Sequence, residues 1–213
     1  MTKRFMENVR ADYISAMGEE LGASFYELYR KLVELHILWQ QYRQLFGDDT
    51  EVVHLLNRTS GLFFKIVQDE LWDSVLLGIT RMTDPPVTGN NKNLTVQSLP
   101  PLISDCALQT EMQGLCDKAQ VAAKFAREHR NKRIAHQDHN FLNNRKSNPL
   151  SGISSTLVEE MLAALRAVLN RLDGHFRDGT VMYEQFVDES GARLLVHKLK
   201  KLERLQGAAI SAP

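Results

Sequence analysis

The chain has 213 residues, 43% hydrophobic and 24% charged, an ordinary globular composition that supports a core without metal or disulfide help. Lys plus Arg and Asp plus Glu both number 26, so no charge over the whole surface draws in nucleic acid, and any nucleic-acid site must be a local basic patch. No Walker loop, no Gly-rich dinucleotide turn, no His-Glu-x-x-His and no Cys pair occurs, which argues against nucleotide-dependent enzymes.

The N-terminus, MTKRFMENVR, is charged and lacks the apolar stretch of a signal peptide. A helix is predicted from about residue 10 to 46, on the stripe Leu21, Phe25, Leu28, Leu32, Leu35 and Trp39. Gly47-Asp48-Asp49-Thr50 stops it and offers a cap to the next. The second helix is predicted over about 50–82, with Val52, Leu55, Leu56, Phe63, Ile66, Val67, Val75, Ile79 and Met82 on its apolar face. Gly61 is a candidate kink, and Asp84-Pro85-Pro86 ends the helix. Trp39, Trp72 and the Phe63-Phe64 pair read as core or interface packing.

Residues 86–101 read as a mobile loop with a short helical turn near Leu94–Leu99. A third helix is predicted over about 108–135, a polar loop over 136–152, and a fourth helix, capped by Ser154-Ser155-Thr156, to about Phe176. In the tail, 181–187 reads as extended, with a hairpin as the alternative, and 190–205 as a helix with basic residues between its apolar ones. That basic face suits either solvent or a phosphate backbone. The sum is an all-α antiparallel bundle of four to five long helices. It forms a single domain over 1–213, with its core at about 10–178. Cys106 and Cys116 fit free thiols in a reducing compartment, and no run reaches the roughly 18 apolar residues of a membrane span. The expected location is the cytoplasm, off the membrane.

One segment carries chemistry. On the third helix Met112, Cys116, Ala119, Ala122, Ala123 and Ala126 define the apolar face, and Arg130 falls near its centre, with Arg133 at an edge. A guanidinium there must meet a carboxylate, backbone carbonyls, a ligand anion or a water-filled cleft. His136 follows at or past the helix end, and a histidine ordinarily titrates near pH ~6.5. The pair suits metal-free RNA cleavage: the histidine moves a proton to or from the reacting oxygens, and the arginine holds the phosphate. Asn131 is placed to position phosphate or ribose. The plainer reading makes Arg130, Lys132 and Arg133 cations favoured by the helix C-terminus. His129, His136, Asp138 and His139 follow no recognised metal-ligand spacing, so neither a metal nor a cofactor is expected.

Arg130-Asn131-Lys132-Arg133-Ile134-Ala135-His136 resembles the Arg-polar-x(3–5)-His motif of the HEPN superfamily. Arg133…His139 repeats the spacing, but Ile134 stands where the family prefers a polar residue. Trp72 to Pro85, closing on Arg81-Met82-Thr83-Asp84, followed by Asn93-Leu94-Thr95, resembles the AbiU-like abortive-infection branch. The resemblance covers roughly residues 20–180. It implies a helical bundle that commonly dimerises, with two Arg/His pairs in one cleft. The activity implied is a metal-independent endoribonuclease or RNA-binding protein, a toxin or phage-defence effector with an antitoxin as partner. The catalytic candidates are then Arg130, His136 and Asn131, and the binding candidates Arg133, Arg81 and Asp84. For Arg81 and Asp84 a local ion pair at the helix end is the competing reading. A non-catalytic helical interaction module is the alternative for the whole chain.

Overall fold

The computed structural model describes residues 3–47, 49–131, 154–185 and 189–210, and of Lys3–Met6 and Gly207–Ile210 the backbone alone. It is all-α, as expected, apart from one small hairpin. The helices are α1 (Lys3–Met17), α2 (Glu19–Phe46), α3 (Thr50–Thr83), α4 (Cys106–Ala122), α5 (Lys124–His129), α6 (Ser155–Arg177) and α7 (Ala192–Ile210). Two compact units emerge: residues 1–35 with 76–183, and residues 36–75 with 184–213.

In the first unit the predicted first helix is two helices. The chain breaks at Gly18, whose φ of +85° is a left-handed conformation that costs a side-chain-bearing residue dearly. The turn brings α1 onto the start of α2, where a Cβ on Gly22 would lie 2.5 Å from the Tyr13 carbonyl oxygen. Glycine is therefore required by the close approach of two backbones. Tyr13 then packs on Phe25, with ring centroids 4.8 Å apart. The apolar period survives the break, which is why the sequence alone reads straight through it.

The core of this unit joins Leu21, Phe25, Leu28 and Leu32 of α2, Leu76, Ile79 and Met82 of α3, Leu108, Met112 and Cys116 of α4, and the stripe Val158 to Leu172 of α6. Asp105 caps α4, accepting from the amides of Ala107 and Leu108, and Ser154 caps α6 through Leu157. Arg171 of α6 grips Glu111 of α4 through two 2.7 Å hydrogen bonds. Asp105, just before α4, feels His175 near the end of α6, so the two helices run antiparallel. Burial pushes the Cys116 thiol up to about 12, whereas Cys106 is exposed.

The segment expected to be a mobile loop is built in two parts. Val87–Thr88 pairs with Asn91–Lys92 across Gly89 in an exposed two-stranded hairpin. The rest forms 3-10 turns at Val96–Ser98 and Pro100–Leu102, with Val96 and Leu99 fully buried. Those two apolar side chains anchor what the Gly, Asn and Pro content alone marks as loose. Among the described residues of 181–187 no strand forms. Instead the Asn170 side chain bonds both the carbonyl and the amide of Val181, substituting for a strand partner.

The second unit packs Leu45, Val52, Leu56 and Phe64 against Ala192 and Val196. Trp39 and Tyr42 stack, and Trp72 lies tilted against both, with centroids 5.0–6.1 Å apart. Asp49 starts α3 by accepting from the amides of Glu51 and Val52. Helix α7 begins where Gln41 and Gln44 accept its first amides, those of Ala192 and Arg193. The kink anticipated at Gly61 sits one residue earlier, at Ser60 (φ −163°, ψ 74°). It shifts the helical phase. Phe64 points inward, while Phe63 and Ile66, expected on the buried stripe, stand 57% and 53% exposed.

Candidate functional site

The C-terminal ends of α3 and α5, both in the first unit, meet at one carboxylate. Pro85 and Pro86 stop α3 and leave Asp84 just past its last residue, Thr83. On the other side Ala119, Ala123 and Ala126 are fully buried, and the next position along that stripe is Arg130. The small alanines let the helix lie close enough for the guanidinium to reach across. Its Nη1 donates to Asp84 Oδ2 at 2.5 Å, and its Nε donates to Asn131 Oδ1 at 3.1 Å. The side chains of Arg130 and Asp84 are 21% and 22% exposed, so the pair borders solvent and is not sealed in the core. Arg130 Nη2 makes no hydrogen bond among the described residues.

Arg127, one turn earlier on the same face, completes the cluster. Its Nε lies 3.4 Å from Asp84 Oδ1, and its Nη2 donates to the Thr83 carbonyl at 2.9 Å and to Thr83 Oγ1 at 3.3 Å. It thereby satisfies an orphan carbonyl at the end of α3 and fixes the two helix ends together. Among the described residues two guanidiniums face one carboxylate at a partly open edge. Such an arrangement can receive an anion: bidentate guanidinium geometry matches phosphate oxygens, and partial burial strengthens the attraction.

The sequence makes Asp84 a candidate for the same cleft as Arg130, and the fold brings the two side chains into direct contact across 46 residues. Asn131 is exposed and touches Arg130. Arg81 is exposed, and among the described residues the guanidiniums that contact Asp84 are those of Arg127 and Arg130. His136 and Arg133 lie outside the described residues. Arg127 has no motif of its own in the sequence; its position three before Arg130 is the signal that places it on the same helix face. Among the described residues no three His, Cys, Asp or Glu side chains gather as a metal site, and no helix is long and apolar enough to cross a membrane.

The HEPN-type family model AbiU2 matches residues 18–194. The chain belongs to the AbiU2 family of HEPN domains. No curated protein matches the chain, and no solved structure does. The AbiU2 match spans both the Arg81–Asp84 segment and the Arg130-Asn131 start of the motif, the two pieces that the ion pair joins.

Asp84 tests how Arg130 is held in this AbiU2 domain. Replacing it by Asn keeps the shape and removes the charge that offsets two guanidiniums. Asp84→Asn is expected to cost about 1 kcal/mol, lowering the melting temperature by about 2–4 °C. An unchanged melting curve would show that the pair contributes nothing to tying α3 to α5.

Proposed function

We propose that this AbiU2 domain is a metal-independent endoribonuclease that uses Arg130 and His136 on an RNA phosphodiester. The observation that carries the reading is the partly exposed Arg130 guanidinium, held by Asp84 at the edge of the fold. Membership of the HEPN-type family supports it.

In the proposed reaction the RNA 2′-hydroxyl attacks the adjacent phosphorus and the 5′-oxygen leaves, giving a 2′,3′-cyclic phosphate and a 5′-hydroxyl end. His136 moves a proton at the attacking or the leaving oxygen. Arg130 binds the non-bridging oxygens and stabilises charge as the fifth bond forms. Asn131, hydrogen-bonded to Arg130, positions the phosphate or ribose. Arg133 and Arg81 supply further backbone contacts, and Asp84 orients Arg130. Two copies form a homodimer that brings two such pairs into one cleft. The biological role is that of a toxin or phage-defence effector in the cytoplasm, restrained by an antitoxin. The purified protein is expected to cut single-stranded RNA in EDTA and to leave cyclic phosphate ends. Cutting that disappears with EDTA would contradict the metal-independent chemistry.

A second reading, a non-catalytic interaction module, is favoured by the same Asp84–Arg130 pair taken as a purely structural tie. It is separated from the first by the absence of any RNA cleavage from a well-folded protein.

A further inference from the structure

A second cluster of charged side chains lies in the other unit and shares no residue with the one above. A groove of about 350 Å³ opens between α3 and α7. Its basic residues come as two pairs, each four residues apart and so on one helix face: His54 and Arg58 on α3, Lys200 and Arg204 on α7. Glu51 and Glu203 also border it, with Leu55 between.

The state of these charges decides what the groove can hold. Glu203 is already engaged: Arg58 Nε and Nη2 both donate to its Oε1, at 3.0 and 2.7 Å. That contact orients the Arg58 guanidinium beside the groove. Lys200 Nζ is 3.8 Å from Asp49 Oδ2, an ion pair too long for a hydrogen bond, so among the described residues its donors make no hydrogen bond. Arg204 and His54 are exposed. Helix α7 as a whole carries Arg193, Lys198, Lys200, Lys201 and Arg204 against Glu203 alone, in a chain with no net charge. Positive charge is therefore concentrated on one element, and the groove, lined by Arg58, Lys200 and Arg204 against Glu51 and Glu203, is where that element meets α3.

We propose that the α3–α7 groove is a phosphate-binding site, with Lys200, Arg204 and Arg58 as its donors and the backbone of single-stranded RNA as its ligand. The choice of RNA rests on the function proposed above; the phosphate chemistry does not. A run of cations along a groove tracks a polyanion without reading its sequence, and its hallmark is steep dependence on salt.

The test uses the full-length protein and a short 2′-O-methyl RNA, which lacks the attacking hydroxyl and so reports binding alone. Lys200→Glu with Arg204→Glu is expected to weaken binding about tenfold or more and to flatten the salt slope by about 2. The control pair Lys198→Glu with Lys201→Glu makes the same charge change on α7 away from the groove, and is expected to have a several-fold smaller effect. Equal losses from both pairs, or no loss from the first, overturn the proposal. Inorganic pyrophosphate added as competitor assigns the source of the phosphate. Displacement only at concentrations that act through ionic strength means an RNA backbone, whereas stoichiometric displacement means a free phosphate compound and overturns RNA as the ligand. The two readings fail separately. RNA cut normally by Arg130→Ala and His136→Ala removes the proposed catalytic roles and leaves the groove standing, while unchanged binding by the groove pair removes the groove alone.

Discussion

Arg130→Ala is expected to lower RNA cleavage by about 10²–10³-fold, the scale seen when one preorganised charge-stabilising donor is removed from an active site. His136→Ala is expected to cost about 10²–10⁴-fold, the range for loss of a general acid or base. Arg130 is one-fifth exposed and borders solvent, so the alanine variant should remain folded. Arg130→Lys separates charge from geometry. An ammonium reaches Asp84 as a point charge but lacks the fork that engages Asp84, Asn131 and a phosphate together, so activity should fall between that of the wild type and that of alanine. If Arg130 serves only to tie α5 to α3, the alanine variant will instead melt earlier and cut RNA in proportion to its folded fraction. Cleavage rates and melting curves measured on the same preparations distinguish the two.

The second large effect is on stability, and it contrasts two phenylalanines that the apolar period treats alike. Phe25 is fully buried in the first unit, against Tyr13, whereas Phe63 is 57% exposed in the second. Phe25→Ala is expected to cost about 3–5 kcal/mol through lost burial and the cavity left behind. That is a large part of the roughly 5–15 kcal/mol that holds a domain folded. Phe63→Ala is expected to change stability by no more than about 0.5 kcal/mol. Denaturant midpoints of the two variants test the pair. Comparable losses would mean that α3 is not kinked at Ser60 as described.

The same contrast shows what the sequence made legible. Helix ends encoded by local chemistry were readable: Asp49 before α3, Pro85 after it and Ser154 before α6 act within a few residues of themselves. The break at Gly18 was not, because the apolar period continues on both sides and only the backbone geometry reveals the turn. Ser60 misled in a related way. An irregularity of one residue rotates everything after it, and a stripe extrapolated through it picks Phe63 where the fold buries Phe64. Helix α7 starts where side chains about 150 positions away supply its cap, which no local window contains. The site was half legible for the same reason. Arg130 stood out because a charge interrupts an alanine stripe, and that requires a partner. The identity of the partner depended on how α3 packs against α5, and so did the role of Arg127.

In the proposed reaction the Arg130 guanidinium acts directly on the RNA phosphate. The most direct measurement is single-turnover RNA cleavage by Arg130→Ala in EDTA, with and without guanidinium ion below denaturing concentrations. The expected result is a rate near background that rises saturably as guanidinium occupies the vacated place beside Asp84, with no matching gain for His136→Ala. Unimpaired cleavage by Arg130→Ala without any added ion would contradict it.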